Sequence, residues 1–263
     1  MVDFENKPRY NVYDLKKLME MLRGPGGCPW DSEQTHKSIR RNMLEEAYEA
    51  AEAIDNDDTD LLLEELGDVL LQVVFHAEIS EKEGSFDLDD IADATCRKLL
   101  RRHPHVFGEV RARDGLESLA FWENAKREEK KQETASETMR SVAQSLPALW
   151  RAEKIQKKAA KAGFDWPEYS GALDALRAEL HELEDAITTG GDVAGELGDL
   201  IFSAVNVARF FDIDPEKALG DASDKFISRF TKVESAAVGQ GRRLEDMSLD
   251  EMESLYQQVK LEE

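Results

Sequence analysis

The chain has 263 residues, 41% of them hydrophobic, with only 7 prolines and 16 glycines and a formal charge of −22. That is enough apolar material for one large or two ordinary cores, and too few turn formers for an all-β fold. A field of that sign repels phosphate backbones and anionic membranes, so neither nucleic acid nor a membrane is an expected partner, and a phosphorylated small ligand needs a divalent cation to approach.

In chain order, Val12, Leu15, Leu18, Met19 and Leu22 follow helical spacing, and Gly24-Pro25-Gly26-Gly27 stops that helix before a loop. A second helix is predicted from near Thr35 to Ile54, a third from near Asp60 to Glu83, and a fourth from near Leu88 to Arg102. Asp87 and Asp90 cap the fourth and Pro104 ends it. A further helix over Glu117 to Lys131 carries Trp122. The second half repeats the plan, with Pro147 at a helix start and Gly163 at its end. Nothing alternates like a strand, so the expected class is all-α, with antiparallel helices closing four-helix bundles. Met1 to Lys16 has no apolar leader segment, and no window approaches the roughly 18 apolar residues of a membrane span. Cys28 and Cys96 make no disulfide framework or CxxC site, so a cytoplasmic location is expected.

The chain repeats itself once. Glu65-Leu66-Gly67-Asp68 returns 131 positions later as Glu196-Leu197-Gly198-Asp199, and Glu46-Ala47-Tyr48-Glu49 returns 133 positions later as Glu179-Leu180-His181-Glu182. Phe86-Asp-Leu-Asp89 is echoed by Phe211-Asp-Ile-Asp214, Lys98 with Arg102 by Lys225 with Arg229, and Trp122 with Lys126 by Tyr256 with Lys260. Two tandem domains follow, over residues 1–133 and 139–263. The junction lies in the polar stretch Gln132 to Thr138 and is drawn as a linker over 134–138.

Glu45, Glu46 and Glu49 share one helical face, which is either a solvated acidic surface or half of a site. The next helix is apolar around most of its circumference and ought to be largely buried, yet Glu65, Asp68, Gln72 and His76 line a stripe along it. The second copy keeps Glu196, Asp199 and Ser203 there. Buried carboxylates need a partner, and opposed acidic faces converge oxygens suited to a hard cation such as Mg2+. A di-iron bundle is disfavoured, because Glu33-x-x-His36 is a single, unduplicated motif and the five histidines show no ligand pattern. Lys98, Arg102, Lys225 and Arg229 are ordinary salt-bridge formers or hold terminal phosphates. Trp122 and Tyr256 are core residues or stack on a base one turn before Lys126 and Lys260.

Glu45, Glu46, Glu49, then Glu65 and Asp68, follow the EExxE…ExxD pattern of the MazG family of nucleotide pyrophosphohydrolases, which the chain resembles. Gly27-Cys-Pro-Trp-Asp31 and Arg101-Arg-His-Pro-His-Val-Phe107 are similar to further family segments, and the two-copy plan covers nearly the whole chain. The resemblance implies an all-α, commonly dimeric enzyme with Mg2+ (Mn2+ as a substitute) on those carboxylates and on Glu179, Glu182, Glu196 and Asp199. It also implies hydrolysis of nucleoside triphosphates to monophosphate and pyrophosphate; the mechanism expected for that reaction, apart from the resemblance, uses an unliganded glutamate, Glu46 or Glu179, as the general base. The second copy departs from the pattern in Ala178, where the first has Glu45, and Tyr256 stands where tryptophan is common. One or both copies acting as a non-catalytic binding or dimerisation module is the competing expectation.

Overall fold

In a computed structural model, residues 4–108 and 110–261 are described, and among them the regular structure is helical throughout. The helices are α1 Val12–Leu22, α2 Pro29–Glu33, α3 Arg40–Asp55, α4 Thr59–Lys82, α5 Leu88–Arg102, α6 Pro104–Phe107 and α7 Gly115–Glu129. They continue as α8 Ala135–Arg140, α9 Ala148–Lys161, α10 Tyr169–Thr189, α11 Val193–Phe210, α12 Pro215–Gly239 and α13 Leu249–Leu261. The chain forms two compact units, Met1–Lys126 and Arg127–Glu263.

In the first unit α4 is the hub, packing on α3, α1 and α5. Met19, Ile39, Val74, Phe75, Ala77, Ile79 and Leu88 make its core. The buried apolar residues of α4 lie in its C-terminal half, whereas Leu63, Leu66 and Leu70 on its N-terminal half are exposed. This corrects the expectation of a largely buried helix: within one unit α3 covers one side of that half, where Glu65 is buried, and Leu63, Leu66 and Leu70 face outward. In the second unit α10 packs on α11, while α9 joins α8, α11 and α12. Val233, Ala237, Leu255 and Val259 form a separate core between α12 and α13.

The helix following Thr35 begins at Arg40, five residues later than the periodicity predicts. Thr35 and Ser38 bond each other's backbone N–H, holding a turn that sets Ile39 into the core before the helix starts. The expected loop after Gly27 contains the short α2, with Pro29 in its first turn. Within the expected linker, Thr134 and Glu137 form a capping box that starts α8.

Caps also correct the repeat register. Asp87 is the N-cap of α5 and Asp214 that of α12, an offset of 127 that matches Lys98 with Lys225. The Phe86 and Phe211 tetrapeptides are therefore two residues out of structural register. The turns around the long pairs interchange residue types at left-handed positions. Asp57 (φ 54°) and Gly84 (φ 72°) follow α3 and α4, whereas Gly190 (φ 74°) and Asp212 (φ 52°) follow α10 and α11. Glycine and aspartate are among the residues that enter this region at least cost.

Candidate active site

The turn Asn56–Asp58 folds α4 back on α3, and Gly190–Asp192 does the same for α11 on α10. Each turn brings two acidic helix faces together. In the first unit Glu46, Glu49 and Glu65 offer oxygens within 4.8 Å of one another, and in the second Glu179, Glu182 and Glu196 do the same. Glu65 is only 9% exposed and its Oε2 has no hydrogen-bond partner. Burial, then the carboxylates of Asp68 and Glu49, hold Glu46 above the usual carboxylate range. Burial followed by Glu49 and Asp68 does so for Glu65, and burial followed by Glu182, Asp199 and Glu196 for Glu179. Asp68 and Asp199 thus act at the edge of each cluster.

A third group, Glu20, Glu78 and Glu81, has similar spacing and a different character. Lys16 Nζ lies 3.3 Å from Glu20 and 2.8 Å from Glu81, and Lys82 Nζ lies 2.8 Å from Glu78. Those carboxylates already have cations. The charges that raise Glu46, Glu65 and Glu179 are all carboxylates. A close like-charge cluster, which in the first unit includes the buried and orphaned Glu65 Oε2, is the arrangement a hard divalent cation relieves, and every donor in it is oxygen.

Glu45 stands apart: its carboxylate receives Arg41 Nε at 2.7 Å on the exposed side of α3. The position it shares with Ala178 therefore adds no carboxylate to the close cluster in either unit.

The cations and aromatics of the repeat make contacts of their own. Arg102 is buried with its guanidinium 5.1 Å above the Trp122 ring, whose edge meets His103 at 4.9 Å. Tyr256 is half-buried against the α12–α13 core, 5.9 Å from the Phe226 ring. Lys98, Lys126 and Arg229 are half-buried, and Lys225 and Lys260 are exposed on α12 and α13. None of the eight is among the groups that most perturb the glutamates. Sequence reasoning missed the pairing of His36 with His76, whose Nδ1 atoms lie 2.7 Å apart and tie the α2–α3 loop to α4. Forty residues separate them, and no periodic signal spans that distance.

A MazG nucleotide pyrophosphohydrolase domain model matches residues 34–107, which contain the first cluster. The nucleoside triphosphate pyrophosphohydrolase/pyrophosphatase MazG of Thermotoga maritima is 41% identical over 247 residues, covering 94% of each chain. The chain belongs to the MazG family. A second relative, the nucleoside triphosphate pyrophosphohydrolase of Escherichia coli K12, is 42% identical over 95% of this chain and 97% of its own. An uncharacterized protein, YabN of Bacillus subtilis, is 45% identical over 97% of this chain, which spans 53% of it.

Proposed function

We propose that this MazG chain hydrolyses nucleoside triphosphates between the α and β phosphorus atoms, giving monophosphate and pyrophosphate in the cytosol. Mg2+, replaceable by Mn2+, is held by Glu46, Glu49, Glu65 and Asp68 in the first unit and by Glu179, Glu182, Glu196 and Asp199 in the second. The observation that carries this reading is the duplicated cluster, without an ion-pair partner among the described residues and with glutamates raised by burial and by one another. When bound, the ion supplies Lewis acidity toward the phosphate oxygens and a site for water.

The chain's own residues do the rest. Glu46 in the first unit or Glu179 in the second would accept the proton from water through an oxygen that does not hold the ion. Asp68 and Asp199 add charge that keeps an ion in place. Lys98, Arg102, Lys126, Lys225, Arg229 and Lys260 supply the positive charge for a leaving pyrophosphate, with Trp122 and Tyr256 beside them. Because Glu45 lies outside its cluster, Ala178 is compatible with a working second site.

The functional species is a homodimer. Leu63, Leu66 and Leu70 on α4, and Leu197, Ile201 and Phe202 on α11, present apolar faces beside the clusters, and a second copy is the self-complementary cover.

Purified protein incubated with each common nucleoside triphosphate and Mg2+, with a chelator control, tests the reaction. Metal-dependent monophosphate and pyrophosphate are expected; diphosphate and orthophosphate would place the cleaved bond elsewhere.

A further inference from the structure

The chain enters α3 and α10 at corresponding places in the two units. Ile39 and Ala172, 133 positions apart, are both buried at the start of those helices, and Val74 and Val205, 131 apart, are both buried on α4 and α11. On that register His36 corresponds to Tyr169 and Ser80 to Phe211. In the second unit two rings close the junction, Tyr169 on Phe211 with centroids 5.4 Å apart. In the first, polar contacts close it. Ser80 is fully buried with its Oγ 3.2 Å from His36 Nε2, and His36 turns its other nitrogen onto His76, one turn earlier on α4.

The Nδ1 atoms of the two histidines face each other at 2.7 Å, so one must donate and the other accept. The pair takes one extra proton without losing this bond, on His36 Nε2, which then donates to Ser80 Oγ and lies 3.9 Å from Glu83 Oε2. Another, on His76 Nδ1, sets two N–H groups and two positive charges against each other in stacked rings 5.0 Å apart. Burial, and then His36, hold His76 below the ordinary histidine value of 6.5. Charged groups on the neighbouring elements are engaged elsewhere. Arg23 at the end of α1 donates to the Asp31 and Gln34 carbonyls, Arg41 on α3 is taken by Glu45, and Asp87 and Asp90 at the start of α5 by their capping box. On α4 itself Glu78 is paired with Lys82 and Glu81 with Lys16, while Lys37 and Arg40 beside Ile39 are exposed.

We propose that His36 and His76 are a positioning pair for the first cluster: the hydrogen bond between their rings clamps the α2–α3 loop to α4, and protonation of both rings releases it. The loop sets Ile39 into the core and leads into α3, which supplies Glu46 and Glu49, two of the three close carboxylates. The second unit, closed by Tyr169 and Phe211, has no such response. The clamp stands apart from the hydrolase reading, and only its effect on an ion at the cluster rests on that reading. Its sign is distinctive. His76 binds a proton less readily folded than unfolded, so stability is lost as pH falls below 6.5, whereas the raised glutamates add stability as pH falls through their own values.

Amide hydrogen exchange of residues 35–46 and 168–179 in the full chain with chelator, corrected for the intrinsic rate at each pH, is followed by mass spectrometry from pH 7.5 to 5.5. Protection of 35–46 should fall roughly five- to twentyfold, against less than about twofold for 168–179. His76→Asn keeps a hydrogen-bonding atom where Nδ1 stood and does not titrate, so its fall in 35–46 should shrink to about twofold or less. His36→Asn is the second variant should the first not fold. A parent whose 35–46 protection is flat over this range, or a folded variant that loses as much as the parent, would overturn the clamp. Calorimetric titration with Mg2+ in a chain carrying Glu182→Gln reads the first cluster: between pH 7.5 and 6 its affinity should weaken about threefold or more beyond the weakening seen with His76→Asn added. Equal weakening would overturn the positioning role. Pyrophosphate release by the parent is assayed alongside, and an exchange response in a parent that releases none would uphold the clamp and remove the hydrolase reading.

Discussion

Glu45 and Glu65 are both glutamates in the same motif, but their surroundings differ. Glu45 faces water and Arg41, whereas Glu65 is buried among Glu49, Asp68 and Glu46 with an unpartnered oxygen. Glu45→Ala is accordingly expected to retain turnover within about threefold, while Glu49→Gln combined with Glu182→Gln removes it by about a thousandfold or more; initial rates of pyrophosphate release check both. The raised pKa values of Glu46, Glu65 and Glu179 also fix a pH response. The folded chain binds more protons than the unfolded one as pH climbs from the ordinary carboxylate value through the raised ones, so these groups lose stability over that window. In chelator, Glu65→Gln should therefore melt higher than the parent at pH 7.5 and close to it near pH 4. Addition of Mg2+ should raise the parent's melting temperature at pH 7.5 and narrow the gap. Equal melting curves for parent and variant at pH 7.5 would remove the buried-charge account of this site.

Among the elements, the long pairs α3–α4 and α10–α11 do the positioning, and short turns set their register. Gly190 reaches its left-handed conformation with open space where a Cβ would stand, so the cost of a side chain there is confined to the backbone. Gly190→Ala should lower stability by about 1 kcal/mol, and Gly190→Asp by less, because Asp57 already occupies the corresponding position after α3. Chemical denaturation measures both, and an alanine variant as stable as the parent would refute the strain. The lengths of α4 and α5 were legible because apolar spacing and acidic caps coincide at their ends. The late start of α3 was not, since Thr35 and Ser38 compete for backbone N–H groups through side-chain bonds that periodicity ignores.

For the whole molecule, the apolar faces left open on α4 and α11 lead to an expected association. The chain should sediment at twice its 29.7 kDa mass, and Leu63→Glu, at a position 76% exposed within the unit, should shift it toward a single chain. A parent protein that sediments as one chain at micromolar concentration would refute the dimer. The sequence by itself determined the helical class, the internal repeat and the acidic residues of both clusters, because all three are local or periodic properties of the chain. The tertiary structure alone decided which carboxylates meet and which already have a lysine, since Glu46 and Glu65 resemble Glu78 and Glu81 until the helices pack. It also decided where Arg102, Trp122 and Tyr256 spend their contacts, and that His36 meets His76 where the second unit sets Tyr169 on Phe211. Burial and charge compensation depend on what a folded neighbour brings within a few ångströms, and spacing along one chain does not encode that.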